Sequence, residues 1–194
     1  KGAAYVFLDL PMSRGRYVSD LDILMDPQAF PRIEALMVQH GWQQATLHPY
    51  DQRYYREWMH ELPPLRHRQR MTELDIHHTI LPKTSRLHPD PRLLFEAARI
   101  LPDHPTLKTL APTDLVIHAA VHLFYDSDFD KGLRGLLDLD GLFRHWATDE
   151  TFWNDLLPRA QALDLIRPLY YALHFCKKLL ATPIPDGILE AMVH

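Results

Sequence analysis

The stretch Arg16-Tyr17-Val18-Ser19-Asp20-Leu21-Asp22-Ile23-Leu24-Met25 constrains this chain more than any other. Read as a β-strand, its two-residue period puts Asp20, Asp22 and Leu24 on one face and Leu21, Ile23 and Met25 on the other. The apolar face suits packing beneath helices while two carboxylates project together from the opposite side. Such a pair, following Arg and Ser, is suited to hold something cationic. A divalent ion such as Mg²⁺, bound through one or two carboxylates plus substrate phosphates, is the usual occupant. The competing reading is an edge strand whose acids are simply solvated, and for an isolated Asp-x-Asp that is the commoner outcome.

A second stretch repeats the design. In Met71-Thr72-Glu73-Leu74-Asp75-Ile76-His77-His78, a strand places Glu73, Asp75 and His77 on one face and Leu74, Ile76 and His78 on the other. If the two strands are neighbours with these faces aligned, Asp20, Asp22 and Asp75 converge within metal-binding distance. Three carboxylates so placed repel one another unless cations hold them. Paired metals about 3.5–4 Å apart stabilise both the attacking and the leaving oxygen of an in-line phosphoryl displacement.

Between and around these strands, periodicity predicts the rest. Lys1 to Leu10 reads as the start of a helix, broken by Pro11 to Gly15. Asp26-Pro27 caps a helix carrying Phe30, Ile33, Leu36 and Met37, and Gly41 stops it. Trp42 to Leu47, Arg53 to His60 and Met71 to Ile80 read as strands from their aromatic and β-branched content. Asp90-Pro91 opens a helix with Leu94, Phe95, Ala98 and Ile100, and Leu101 to Pro112 is a proline-rich joint. Beyond it Asp114–Tyr125, Lys131–Trp146, Thr151–Leu163 and Ile166–Leu180 carry apolar faces at helical spacing, with Pro158 expected to kink or end the third. Asp186 is placed to cap a last helix. The expected class is therefore α+β: a small mixed sheet backed by helices over residues 1–110, then an all-helical domain over 111–194.

Composition limits the function. With 194 residues, a net charge of −4 and a pI near 6.3, the chain lacks the basic excess of a sequence-independent nucleic-acid binder. Its one cysteine, Cys176, excludes an intramolecular disulfide and a multi-cysteine zinc site, so a reducing, cytoplasmic setting is expected. No run approaches the ~18 apolar residues of a membrane span. The chain opens at Lys1 inside a helical pattern, so further sequence is expected upstream.

Lys1-Gly2-Ala3-Ala4, Arg16-x-x-Ser19-Asp20-x-Asp22-x-Leu24, His40-Gly41-Trp42 and Leu74-Asp75-Ile76-His77 together resemble the uncharacterised bacterial nucleotidyltransferase family of the polymerase-β-like superfamily. The likeness continues through His122-Leu123 and Leu133-Arg134-x-Leu136-Leu137-Asp138-Leu139 to Thr182-Pro183-Ile184-Pro185. It implies a nucleotidyltransferase sheet followed by a helical domain, with the active site in the cleft between. Asp20, Asp22 and Asp75 would ligate Mg²⁺ or Mn²⁺, and Asp75 would also be the candidate base. Lys1, Gly2, Arg16, Ser19, His122, Arg134 and Asp138 would bind the nucleoside triphosphate, ATP among the candidates. Gly2, at a helix start, would admit phosphates to backbone N–H groups. One departure stands out: Ala3 follows Gly2 where the superfamily usually has Ser, so no hydroxyl is offered there.

Each residue also has a structural reading. Arg16 either steers phosphate or pins its strand, and His77 either orients a carboxylate, meets substrate or is a structural histidine. His118 and His122 have zinc-ligand spacing without the Glu of His-Glu-x-x-His, and Arg134 and Asp138 at i, i+4 suit a surface ion pair. Cys176 suits a buried small hydrophobe. Trp146, Phe152 and Trp153 are candidates for an exposed patch. Three functions follow: transfer of a nucleoside monophosphate to an acceptor hydroxyl, nucleotide binding or scaffolding without turnover, and metal-dependent phosphohydrolysis. A small molecule, sugar or protein acceptor ranks ahead of a long nucleic acid.

Overall fold

The computed structural model describes residues 1–44, 48–125, 132–148 and 150–192. In chain order the elements are α1 (Gly2–Phe7), β1 (Asp20–Leu24), α2 (Phe30–Gln39), β2 (Trp42–Gln44), α3 (Pro49–Glu57), β3 (Leu65–His67) and β4 (Glu73–His77). There follow α4 (Pro91–Ala97), β5 (Arg99–Leu101), β6 (His104–Thr109), α5 (Pro112–Tyr125), α6 (Gly132–Trp146), α7 (Glu150–Ala162), α8 (Ile166–Leu180) and α9 (Asp186–Glu190). They form two compact units: residues 2 and 15–91, and residues 1, 3–14 and 92–194. Among the described residues no helix is long and apolar enough to cross a membrane.

The first unit is a four-stranded mixed sheet in the order β1-β4-β3-β2, with β1 parallel to β4 and the other two pairs antiparallel. Its covered face buries Leu62, Leu65, Leu74 and Ile76, against which Ile23, Met25, Phe30, Ile33, Met37 and Trp42 pack. Most are apolar alternates of β1 and β4 or belong to the apolar stripe of α2, joined by Leu62, Leu65 of β3 and Trp42 of β2, so binary patterning decides which face is covered. Asp26 accepts a hydrogen bond from the Gln28 N–H at 2.8 Å, a one-turn 3₁₀ segment follows at Pro27–Ala29, and α2 starts at Phe30. Gly41 ends that helix at φ +85°, in the left-handed region that glycine enters at no steric cost.

Two expectations in this unit need correction, and part of a third lies outside the described residues. Of the expected strand Arg53 to His60, Arg53–Glu57 lie in helix α3, Trp58 caps its C-terminus, and Met59 and His60 follow in a bend. His48 Nδ1 accepts from the Tyr50 N–H at 3.3 Å, Pro49 occupies the first turn, and Arg53 pairs with Glu57 one turn on at 2.9 Å. These local signals outweigh the β-propensity of Tyr54, Tyr55 and Trp58, whose rings stack edge to face along the helix instead. The sheet's remaining strand is β3, Leu65–His67, in a stretch to which the periodicity assigns no element. β2 is described only to Gln44, and residues 45–47 of the expected Trp42–Leu47 strand lie outside the described residues.

In the second unit, α5 packs against α6, α7 and α8. Helix α5 is buried almost all round, through Leu115, Val116, Ile117, Ala119, Ala120 and Val121. Pro158 does not end α7, which runs through it to Ala162. The proline forgoes one backbone bond, but buried Trp153, Leu156 and Ala160 hold the helix on the core. Arg159 anchors it further, donating to both Asp114 carboxylate oxygens at 2.6 and 2.8 Å and to the Leu93 carbonyl at 2.7 Å. Phe152 and Trp153 are buried rather than exposed, with Trp153 against Phe143 at 5.8 Å between ring centroids. The residues read as a proline-rich joint contribute instead to an antiparallel β5–β6 hairpin, and Ile100, assigned to a helix, lies in β5. Cys176 is buried, and burial pushes its thiol up to about 12, consistent with an inert packing role.

Candidate active site

The parallel β1–β4 pair aligns Asp20 with Glu73, Asp22 with Asp75 and Leu24 with His77. Because both strands keep a two-residue period, Asp20, Asp22, Asp75 and His77 project from the same side of the sheet, opposite the buried Leu74 and Ile76. Carboxylate oxygens of Asp20, Asp22 and Asp75 lie within 4.8 Å of one another. The convergence expected from the two alternating strands is thus present.

Its electrostatics are those of crowded acids. Burial, and then the charge of Asp22, push the Asp75 carboxyl above its ordinary value, with Asp20 and Glu73 adding to the rise and His77 opposing it. One oxygen, Asp75 Oδ1, is buried with no hydrogen-bond partner among the described residues. A buried carboxylate oxygen in that position calls for a proton or a cation, and oxygen-only donors at this spacing fit a hard divalent ion. At Asp22, burial favours the neutral acid, but this is outweighed, in part by the His77 imidazole, and the carboxyl is held below its usual range.

The flanking residues are ordered around these acids. Ser19 Oγ donates to Asp20 Oδ1 at 3.1 Å, so its hydroxyl turns one ligand candidate. Glu73 points to the rim and pairs with Arg66 at 3.6 Å. His77 Nε2 stands 3.8 Å from Asp22 Oδ1, while its Nδ1 stands 3.4 Å from Glu61 Oε2. Glu61 was not singled out from sequence. It reaches the site because residue 61 forms an isolated antiparallel bridge with His77, continuing the edge of β3 past a break. The strand expected over Arg53 to His60 stops short of Glu61 and Leu62, so only the pairing reveals their place. Burial raises the Glu61 carboxyl, His77 lowers it, and Asp75 and Asp22 raise it further.

Residues 1–181 match the family described as uncharacterised nucleotidyltransferase. The chain belongs to that family. No curated protein and no solved structure matches it. The matched residues include all three convergent acids, and the α+β architecture with a helical part agrees with the family expectation.

The nucleotide-binding candidates divide between the two units of the chain. Gly2 and Arg16 fall in the sheet unit with the acids, and a Cβ on Gly2 would meet Arg16 Cδ and Val18 Cγ2 at 3.7 Å. Lys1, His122, Arg134 and Asp138 belong to the helical unit. There Arg134 and His122 are exposed and Asp138 is buried, while the His118 and His122 rings meet edge to face at 6.4 Å.

Proposed function

We propose that this chain transfers a nucleoside monophosphate from a nucleoside triphosphate to an acceptor hydroxyl, with Asp20, Asp22 and Asp75 holding divalent cations, Mg²⁺ or Mn²⁺. The observation that carries this reading is the convergence of the three carboxylates within 4.8 Å, beside an Asp75 Oδ1 that is buried with no hydrogen-bond partner among the described residues. The ions, when bound, supply charge neutralisation to the phosphates and to the attacking and leaving oxygens. Asp20 and Asp22 keep two ligand positions on one rigid strand, with Ser19 turning the first. Asp75, its carboxyl raised toward working pH, takes the proton of the acceptor hydroxyl as that oxygen bonds to the α-phosphorus and pyrophosphate departs. Lys1, Gly2, Arg16, Ser19, His122, Arg134 and Asp138 are the candidates for contact with the triphosphate. The net charge of −4 favours a small-molecule, sugar or protein acceptor over a long nucleic acid.

Pyrophosphate release from nucleoside triphosphates, followed against metal concentration, tests the proposal. Metal-dependent release that collapses in Asp20→Asn and Asp75→Asn is the expected result, and unchanged turnover in both variants removes the assignment. Ala3, standing where a hydroxyl would meet phosphate, favours a second reading in which the chain binds nucleotide without turnover. Calorimetric binding with no pyrophosphate under any metal supports that version, and monophosphate release without a modified acceptor supports hydrolysis instead.

A further inference from the structure

A second cluster of donors lies beside the carboxylates and differs from them in kind. His60, Glu61 and His77 each present a ligand atom, and these atoms lie within 4.8 Å of one another. The three are all half-buried, and two backbone bonds fix the segment that carries His60 and Glu61: the His78 N–H donates to the His60 carbonyl at 2.8 Å, and the Leu62 N–H to the Ile76 carbonyl at 2.9 Å. The cluster therefore sits on sheet pairing rather than on a loop.

We propose that His60, Glu61 and His77 form a metal site distinct from the three aspartates, taking one late first-row divalent cation of the zinc class. Two imidazole nitrogens and a carboxylate oxygen are a borderline-soft set that suits zinc, whereas the all-oxygen set of Asp20, Asp22 and Asp75 suits magnesium. Zinc–ligand distances of about 2.0–2.2 Å in tetrahedral geometry put neighbouring donors about 3.4 Å apart. His77 Nδ1 and Glu61 Oε2 stand at 3.4 Å. The His60 and His77 rings are stacked, with centroids 5.0 Å apart and planes 29° from parallel, so the two imidazoles are near enough to share one ion once the rings turn their nitrogens toward it.

The far side of His77 supports the same assignment. Its Nε2 faces Asp22 Oδ1 at 3.8 Å. A metal-bound histidine characteristically offers its other ring N–H to a carboxylate, which sets the tautomer and leaves the first nitrogen's lone pair for the ion. With the proton on Nε2 toward Asp22, the Nδ1 lone pair is left for an ion shared with Glu61 Oε2, 3.4 Å away, and with His60, whose ligand atom lies within 4.8 Å of both. Asp22 is then an outer partner of this site and a ligand candidate of the other. Zinc occupancy would hold His77 and, through it, the orientation of Asp22. The assignment does not rest on the transfer reaction, because zinc binding is measured without nucleotide.

The test uses the tag-free chain, stripped with chelator and dialysed against Zn²⁺, with bound metal measured by elemental analysis and the imidazole nitrogens followed by ¹⁵N NMR. About one zinc per chain is expected, with the His60 and His77 ring nitrogens shifting on binding. His60→Ala and Glu61→Gln should each weaken binding at least about 10-fold, Asp22→Asn by about 10–100-fold through its outer contact, and Asp20→Asn not at all. Zinc that fails to bind, that binds equally well to His60→Ala and Glu61→Gln, or that is lost in Asp20→Asn overturns the proposal. Unmoved His60 and His77 nitrogens in the unaltered chain overturn it without recourse to any variant. Loss of pyrophosphate release in a chain that still binds zinc would defeat the transfer reading alone.

Discussion

Asp22 and Asp75 stand directly opposite each other across the parallel β1–β4 pair, so each crowds the other's charge. Their neighbour Asp20 completes a set whose oxygens lie within 4.8 Å. Replacing either opposed acid removes a ligand position and a repulsion at once. Asp22→Asn and Asp75→Asn should each lower metal-dependent pyrophosphate release on the order of 10²–10³-fold, the scale of one lost preorganised charge group. The same Asp75→Asn change should raise the thermal midpoint of the metal-free chain by a few degrees. Parallel assays of turnover and of melting in chelator check both halves, and a variant that loses stability along with activity contradicts the repulsion argument.

The acids also set a pH dependence. Asp75 and Glu61 are both raised above their ordinary values of 3.8 and 4.5, chiefly by burial. The folded state therefore holds these protons more tightly than the unfolded chain does, so the stability they contribute is complete below the ordinary values and is lost as pH climbs through the raised native ones. Metal-free stability should fall with rising pH across that weakly acidic window. Mg²⁺ should reverse the trend, since it binds the ionised carboxylates. Denaturant titrations at stepped pH, in chelator and in excess Mg²⁺, read the two slopes, and parallel slopes would contradict the assignment.

In the helical unit the Arg159–Asp114 pair is a buried strut, with Asp114 fully enclosed and both of its oxygens bonded. Removing one partner leaves the other charge desolvated. Arg159→Met should cost about 3–5 kcal/mol, and adding Asp114→Leu to it should restore part of that loss, because an uncharged pair no longer strands an ion. Urea unfolding of the single and double variants measures the recovery.

Gly41 joins α2 to β2 at φ +85°, with His67 Nε2 3.4 Å from where a Cβ would stand. Gly41→Ala should destabilise the sheet unit by about 1 kcal/mol, and Gly41→Asn by less, because asparagine enters the left-handed region more readily. Denaturation midpoints of the two variants give the order.

Much of the site was legible in the chain itself. The alternation in Asp20-Leu21-Asp22-Ile23 and in Glu73-Leu74-Asp75-Ile76 separates acids from aliphatics at a period only a strand satisfies, so the strands and their covered faces follow from local patterning. The caps at Asp26 and Gly41 and the apolar stripe of α8 are equally local, and they appear where their chemistry places them. Helix α3 misled because aromatic content is a weaker signal than a capped first turn. Of the two outcomes expected at Pro158, a kink or an end, the helix does not end, because the proline's cost is set against tertiary burial.

What the sequence could not carry was register and company. Nothing in residues 20–24 and 73–77 says that Asp22 faces Asp75 rather than Glu73, since a shift of two residues would keep every side chain on its face. Nothing local announces that Glu61 bridges to His77. Side-chain chemistry and periodicity are properties of neighbours along the chain and were determined there. The meeting of Asp22, Asp75, His77 and Glu61 depends on hydrogen bonds between distant segments, which only the folded sheet decides.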